Sequence, residues 1–349
     1  IDGFGNDEYE CEVTTLREDG GYSDGRRPEN VIFGQKIEDD LERRDFTINA
    51  MAIEIGKELV GDDEPVGNLL DFHEGEADLA SGILRAVGDA EKRLGEDGLR
   101  VLRAFRFLES GENGLRELDP VLSNAISSNL EMLESVSKER IWVEIGKILT
   151  GRHSKEIIEM MHEHGVLNKI LPGLSVNLEI IHSSDCLVNL ALMCSSEKSD
   201  GTELSAKLAK ELRLSRNEAS ILSLLHDLRN TELDHSAKSV RRFIATISEP
   251  NRTRCLDYLA GAGVKTGSFE DCYLSVGDLR AGKKPLIDGN MLSNLTGIEP
   301  GRKLGRLKDW LHRIQVEEDI GDRESLVAKL GEIGWEGSEF EDWPVLIWP

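Results

Sequence analysis

The run Arg43-Arg44-Asp45-Phe46-Thr47-Ile48-Asn49-Ala50-Met51-Ala52 constrains this chain more than any other stretch. Three charged side chains stand at the head of a small-residue and apolar run that reads as buried. A segment built only to pack gains nothing from two arginines and an aspartate at its entrance. Arginine's planar fork makes bidentate grips on phosphate, and a neighbouring carboxylate accepts from sugar hydroxyls. An exposed turn before an ordinary core helix explains the same ten residues, so the run alone leaves both readings open.

A second stretch, Glu96-Asp97-Gly98-Leu99-Arg100-Val101-Leu102-Arg103-Ala104-Phe105-Arg106-Phe107, adds to the first. Leu99, Leu102 and Phe105/Arg106 fall at three- and four-residue steps, which predicts a helix. Asp97 and Arg100 are then expected as neighbours on one helical face. An acceptor beside a donor fork pairs with the edge of a base: carboxylates accept from the cytosine amine, and arginine donates to ring acceptors. A surface ion pair is the competing reading.

These stretches take their place in a longer ordered set. Glu12-Val13-Thr14-Thr15 is followed by Tyr22-Ser23-Asp24-Gly25-Arg26-Arg27-Pro28, then by Asp40-Leu41 and the run from Arg43. Next come Asp71 to Gly75, Asp78-Leu79, and Ile83 to Asp89 leading to Arg93. Beyond the helix from Glu96 stand Val136-Ser137-Lys138-Glu139-Arg140-Ile141 and Gly297-Ile298-Glu299-Pro300-Gly301. The set resembles the bacterial and eukaryotic (class II) type of tRNA nucleotidyltransferase, the CCA-adding enzymes, with their poly(A) polymerase relatives.

That resemblance implies an α+β chain. Part of a polymerase β-like nucleotidyltransferase head, a small mixed sheet with helices, is expected over 1–85. An all-α neck that reads the base (86–150), a body that supports tRNA (151–260) and a tail that binds it (261–349) are expected to follow. The implied activity is template-independent addition of CMP and AMP from CTP and ATP to the tRNA 3′ end. By the resemblance Arg43 and Arg44 meet the triphosphate, Asp45 meets the ribose, and Asn49 orients that motif. Asp97 and Arg100 pair with the base edge, Glu96 holds Arg100, and Arg103 and Arg106 are counted with the nucleotide site. Asp24, Arg26 and Arg27 match a loop that accompanies A addition in the family.

The family's Gly-Gly turn and the Asp-x-Asp pair that holds two magnesium ions do not precede Glu12. The expectation is a chain that starts inside the head, with its Mg2+ ligands mainly upstream. Glu12 reads equally as a third, metal-positioning carboxylate or as a strand-edge glutamate in solvent. An A-adding enzyme, a poly(A) polymerase, and a non-catalytic RNA- and nucleotide-binding protein without a metal site are the competing functions.

Composition narrows the setting. No apolar run approaches the roughly 18 residues needed to cross a bilayer, and the first residues do not read as a signal peptide. Five cysteines without C-x-x-C spacing argue for reduced thiols in the cytoplasm and against structural zinc. A net charge of −24 is awkward for an RNA-binding protein, because phosphate contacts dominate affinity. The stretch from Gly277 to Arg313 runs the other way, with 8 Lys/Arg against 4 Asp/Glu. Lys283, Lys284, Arg302, Lys303 and Arg306 are the expected tRNA contacts, and Gly301 opens a helix whose amides face phosphate. Adaptation of an acidic surface to high salt is compatible with this.

Helices are expected at Pro120–Leu133 and Ser137–Leu149 and in succession from Ser154 to Leu259, while Arg17 to Pro28 reads as a loop. His226-Asp227 invites a metal reading with His182 and Asp234, but a helix-end His-Asp pair in a helical body reads as structural. Residues 332–349, acidic with three tryptophans, read as a packing strap.

Overall fold

The computed structural model describes residues 15–19, 31–33, 36–55, 67–178 and 183–349. Glu12, Asp24, Arg26, Arg27 and His182 lie outside the described residues. The chain divides into two compact units, Ile1–Leu174 with Leu208–Leu214, and Ser175–Lys207 with Ser215–Pro349.

In the first unit β1 (Arg17–Asp19) pairs antiparallel with β2 (Val31–Phe33). Arg17–Asp19 was expected to open a loop; its backbone instead lies in register with Val31–Phe33, and the pairing makes it a strand. After α1 (Ile37–Glu42) come β3 (Met51–Ile55) and β4 (Gly67–Asp71), antiparallel with Met51 opposite Asp71. Helix α2 (Gly75–Ser81) follows, then β5 (Ile83–Leu84), whose parallel partner is β6 (Glu117–Leu118). The described sheet structure is therefore three separate pairs, joined by side chains and turns. Asp71 accepts from the amides of Gly75 and Glu76 at 2.8 and 2.9 Å, and Thr47 Oγ1 donates to Asp78 at 2.8 Å. A Cβ at Gly75 would stand 2.3 Å from the Thr47 carbonyl oxygen, so only glycine lets α2 lie this close.

From Asp89 the unit is helical apart from β6: α3 (Ala90–Glu96), α4 (Leu99–Leu108), α5 (Pro120–Ser128), α6 (Lys138–Leu149), α7 (Ser154–Glu163) and α8 (Val166–Ile170). Leu99, Val101, Leu102, Ala104, Phe105 and Leu108 of α4 are buried, and α4 packs on α6 and α7. Arg100, Arg103 and Arg106 recur on its other face, at the helical step. The helix expected over Pro120–Leu133 stops at Ser128. Asn129 turns its amide back onto the Ala125 and Glu91 carbonyls at 2.9 and 3.4 Å, and a 3-10 stretch, Leu130–Ser135, follows. Such local side-chain bonding is how Asn ends helices. Ser137 sits at the N-cap of α6 without a side-chain cap bond.

The second unit carries α9 (Cys186–Met193), α10 (Gly201–Leu212, whose last residues count with the first unit), α11 (Arg216–Asp227), α12 (Ala237–Thr246), α13 (Glu249–Gly261), α14 (Gly267–Val276), α15 (Gly289–Thr296), α16 (Arg302–Glu317) and α17 (Arg323–Glu332). Helix α9 is buried from Leu187 to Met193 and packs on α11 and α13. Helix α12 packs on α14 and α16. Ile287, Leu292, Leu304, Leu307, Leu311, Leu326 and Leu330 form a core that Trp343 completes. Trp348 is also buried, with its ring 4.4 Å from that of Phe243. The segment after α17 is thus a strap, and the Trp343 and Trp348 indoles belong to the core.

Among the described residues no helix is long and apolar enough to cross a membrane. Cys186, Cys194, Cys255 and Cys272 are free, and burial pushes the Cys194 and Cys255 thiols up to about 12.

Candidate nucleotide-binding site

The run from Arg43 to Asn49 is stitched along residues 85–87. Thr47 N donates to Arg85 O at 3.0 Å, and Val87 N to Asp45 O at 3.1 Å. Phe46 is thereby fully buried, which points Asp45 to one side of a fixed backbone. Asp45 is itself buried at 6% exposure, so its carboxylate needs partners. Oδ1 accepts from Phe46 N at 3.0 Å and from Asn49 Nδ2 at 3.1 Å, while Oδ2 accepts from Arg103 Nε at 2.6 Å. Arg43 and Arg44 both reach back to Asp40 in α1, at 2.7 and 3.3 Å. Arg44 is the more exposed of the two.

Helices α3 and α4 close on this run from their junction. Arg93 donates to the Glu42 and Val87 carbonyls and pairs with Glu96 at 2.8 Å. Glu96 Oε2 also accepts from Arg100 Nη1 at 2.6 Å. Arg100 Nη1 donates to Arg93 O at 2.8 Å, and Nη2 donates to Arg43 O at 2.9 Å. The side chain expected to read a base is therefore bonded to the backbone of the run expected to hold phosphate. Arg103 and Arg106 lie over the Phe107 ring, 5.0 and 4.1 Å from its centre. Burial lowers the Arg106 pKa from its ordinary value, opposed by Glu144, with which it pairs at 3.2 Å.

Asp97 departs from expectation. It does not share a helical face with Arg100, because α3 ends at Glu96 and α4 begins at Leu99. Asp97 is extended at that break (φ −148°, ψ 109°), and its Oδ1 accepts from Leu99 N at 3.0 Å. Its partner is Arg140 of α6, whose Nη2 reaches Oδ2 at 2.7 Å and Nη1 reaches Oδ1 at 3.4 Å. Beside the break, Gly98 keeps a helical backbone (φ −57°, ψ −22°) and lies so close to the Met132 carbonyl oxygen that a Cβ would stand 2.2 Å from it. Arg140 was missed as a site residue, although its run was noticed, because the pairing joins segments 43 positions apart.

The basic residues of the second unit do not form one group. Gln315 is fully buried and donates through Nε2 to the Ala281 and Lys284 carbonyls, which ties Lys283 and Lys284 to one end of α16. Arg302, Lys303 and Arg306 stand at its other end, about 20 Å away at the helical rise. Arg306 donates to Glu341 O at 3.1 Å, and Lys303 lies 6.0 Å over the Trp343 ring. Arg280, counted with them, pairs with Asp319 at 3.1 Å.

His226 is fully buried, with Nε2 3.0 Å from Ser199 O, and Asp227 accepts from Gly201 N at 2.7 Å. Asp234 accepts from Ser236 N at 2.9 Å. Among the described residues no group of three or more His, Cys, Asp or Glu side chains is placed to hold a metal ion. These residues serve helix ends.

Comparison with known proteins identifies the family. The Poly A polymerase head domain family matches residues 3–85, and the Probable RNA and SrmB-binding site of polymerase A matches residues 117–178. Fold and matches define a nucleotidyltransferase of the poly(A) polymerase type. A CCA-adding enzyme of Ligilactobacillus salivarius is 30% identical over 331 residues, covering 90% of this chain and 77% of that relative. One of Geobacillus stearothermophilus is 41% identical over 164 residues, 47% of this chain and 37% of the relative. The chain belongs to the family of CCA-adding enzymes. The fold agrees: a crystal structure of the Bacillus stearothermophilus CCA-adding enzyme in complex with CTP aligns with a TM-score of 0.70 at 23% identity, over 92% of this chain and 78% of that one. A Thermotoga maritima CCA-adding enzyme complexed with tRNA aligns at 0.56 and 22% identity, over 85% and 73%.

Proposed function

We propose that this chain selects CTP and ATP for addition to the 3′ end of tRNA, with Asp97 and Arg100 reading the base and Arg43, Arg44 and Asp45 holding the triphosphate and ribose. The bond from Arg100 Nη2 to Arg43 O carries the reading, because it fixes the base-reading donor to the phosphate-reading run. CTP and ATP each present an exocyclic amine beside a ring-nitrogen acceptor. A carboxylate and a guanidinium complement that edge and oppose the edges of UTP and GTP, which reverse it. Glu96 holds Arg100, and Asn49 and Arg103 hold Asp45. Divalent metal supplies charge neutralisation in phosphoryl transfer. Residues 1–85 as part of the head, 86–150 as the neck, 151–260 as the body and 261–349 as the tail are the division that accompanies this reading.

The test of the activity is label from CTP and ATP on a tRNA that ends before CCA, with magnesium. Label from ATP alone, on tRNA already ending in CC, would make this an A-adding enzyme. The test of the base reading is substitution. Asp97→Ala or Arg100→Ala is expected to lose about 1–3 kcal/mol of discrimination against UTP, more than it costs in CTP use. UTP rejection unchanged in both variants would remove the assignment.

The second unit is proposed to hold tRNA through the two separated basic groups. Charge reversal at Lys303 and Arg306 together is expected to weaken tRNA binding and to reduce the slope of log affinity against log salt by about one per lost phosphate contact. Equal binding across a salt series would reject the α16 contact. A thermal melt separates this effect from loss of the Arg306–Glu341 bond.

A further inference from the structure

We propose that Arg140 positions Asp97 for base selection, so that discrimination between amine-edged and keto-edged nucleotides depends on a side chain from α6. The proposal rests on the reading of Asp97 and Arg100 as the base-reading pair. Arg100 has an evident holder in Glu96, from the end of α3. Asp97 has none on its own helices apart from the Leu99 amide, because it lies extended between α3 and α4. One amide fixes one oxygen and leaves the carboxylate plane free to turn. Arg140 supplies the missing constraint by bonding both oxygens, at 2.7 and 3.4 Å, and its planar fork sets the plane of the carboxylate.

Bonding capacity agrees with a positioning role. Each carboxylate oxygen accepts about two bonds. Oδ1 already takes Leu99 N and Arg140 Nη1, whereas among the described residues Oδ2 takes Arg140 Nη2 alone, which leaves Oδ2 room for a base amine. Arg100 spends both Nη1 hydrogens on Glu96 and Arg93 O and one Nη2 hydrogen on Arg43 O. Among the described residues nothing takes its Nε hydrogen or second Nη2 hydrogen, and these suit a ring nitrogen. Acceptor and donor are thus each held by a second residue and each keep a site for ligand. Arg140 and Asp97 are 30% and 18% exposed, a setting in which an ion pair adds little stability. Its consequence lies in orientation.

The experiment is titration calorimetry of the full chain with CTP, ATP and UTP, for wild type, Asp97→Ala, Arg140→Ala, Arg140→Lys and the double alanine variant. Wild type is expected to prefer CTP and ATP over UTP, and Asp97→Ala to lose that preference. Arg140→Ala is expected to lose about tenfold of it at an unchanged melting temperature, within the range set by one bidentate base contact. Arg140→Lys, which keeps the charge but not the fork, should recover part, and it carries the test if the alanine variant unfolds. Adding Arg140→Ala to Asp97→Ala should change the preference no further, which a merely structural role does not predict. A wild-type preference in Arg140→Ala and Arg140→Lys, with loss in Asp97→Ala, overturns this proposal alone. A sharper preference in Arg140→Ala would mean that the pair sequesters Asp97, and overturns it too. Retention in Asp97→Ala removes the underlying reading and this proposal with it.

Discussion

Replacing Trp343 with alanine is expected to cost about 3–5 kcal/mol of stability, the range for emptying a buried indole site. The indole is 2% exposed and completes the cluster of Leu304, Leu307, Leu311, Leu326 and Leu330. Its Nε1 donates to Ser338 Oγ at 2.8 Å, so the one polar atom it buries is satisfied. Trp310 and Phe340 stand 5.7 and 6.4 Å from its ring centre. Alanine would leave a cavity walled by three helices, and those helices cannot close on it without giving up their contacts with each other. Denaturant unfolding followed by far-ultraviolet circular dichroism measures the loss. A cost below about 1 kcal/mol, the level of a surface substitution, would show that the strap does not belong to the core.

The strap also shows where sequence reading stops. Its composition, acidic with tryptophans spaced through it, was legible as packing. What the indoles pack against was not. Trp343 joins the core of α15 to α17, whereas Trp348 joins Phe243 and Phe269 of α12 and α14. Periodicity reports which face of an element is buried, and a segment without a period carries no such information.

The site divides along the same line. Asn49 lies four residues from Asp45, and Glu96 four from Arg100, so these partnerships, which the resemblance implied, are local. Arg103 with Asp45 and Arg140 with Asp97 span 58 and 43 positions, and no local pattern encodes either. Arg103 was counted with the site through the resemblance, without a partner in view. The helical period of Leu99, Leu102 and Phe105 is real, but extending it back by two residues placed Asp97 on a face it does not occupy. The spacing of the basic residues in the fold was not legible either. Lys284 and Arg302 are neighbours in charge and in sequence region, yet the buried Gln315 clasp anchors the first to the far end of α16.

Gly98→Ala is expected to damage both the stability and the selectivity of the first unit. The backbone of Gly98 is ordinary (φ −57°, ψ −22°), so the requirement for glycine is one of space. A Cβ there would stand 2.2 Å from the Met132 carbonyl oxygen and 2.5 Å from its carbon. Both belong to backbone of the 3-10 stretch Leu130–Ser135, which has no rotamer to offer as relief. The α3–α4 junction must therefore move away, and Asp97 moves with it. Overpacking of this kind costs about 1–3 kcal/mol and sometimes more. The functional cost should be larger in proportion: Asp97 gives up the Arg140 fork and the Leu99 amide together, and the preference for CTP over UTP is expected to fall as far as in Asp97→Ala. Gly146→Ala is the control, since its Cβ would meet nothing within 4 Å in α6. There the gain in helix propensity, about 0.5–1 kcal/mol, should appear as a raised melting temperature with selectivity intact. Wild-type stability and selectivity in Gly98→Ala would mean that the junction yields without moving Asp97, and that the break between α3 and α4 is not what sets the carboxylate's direction.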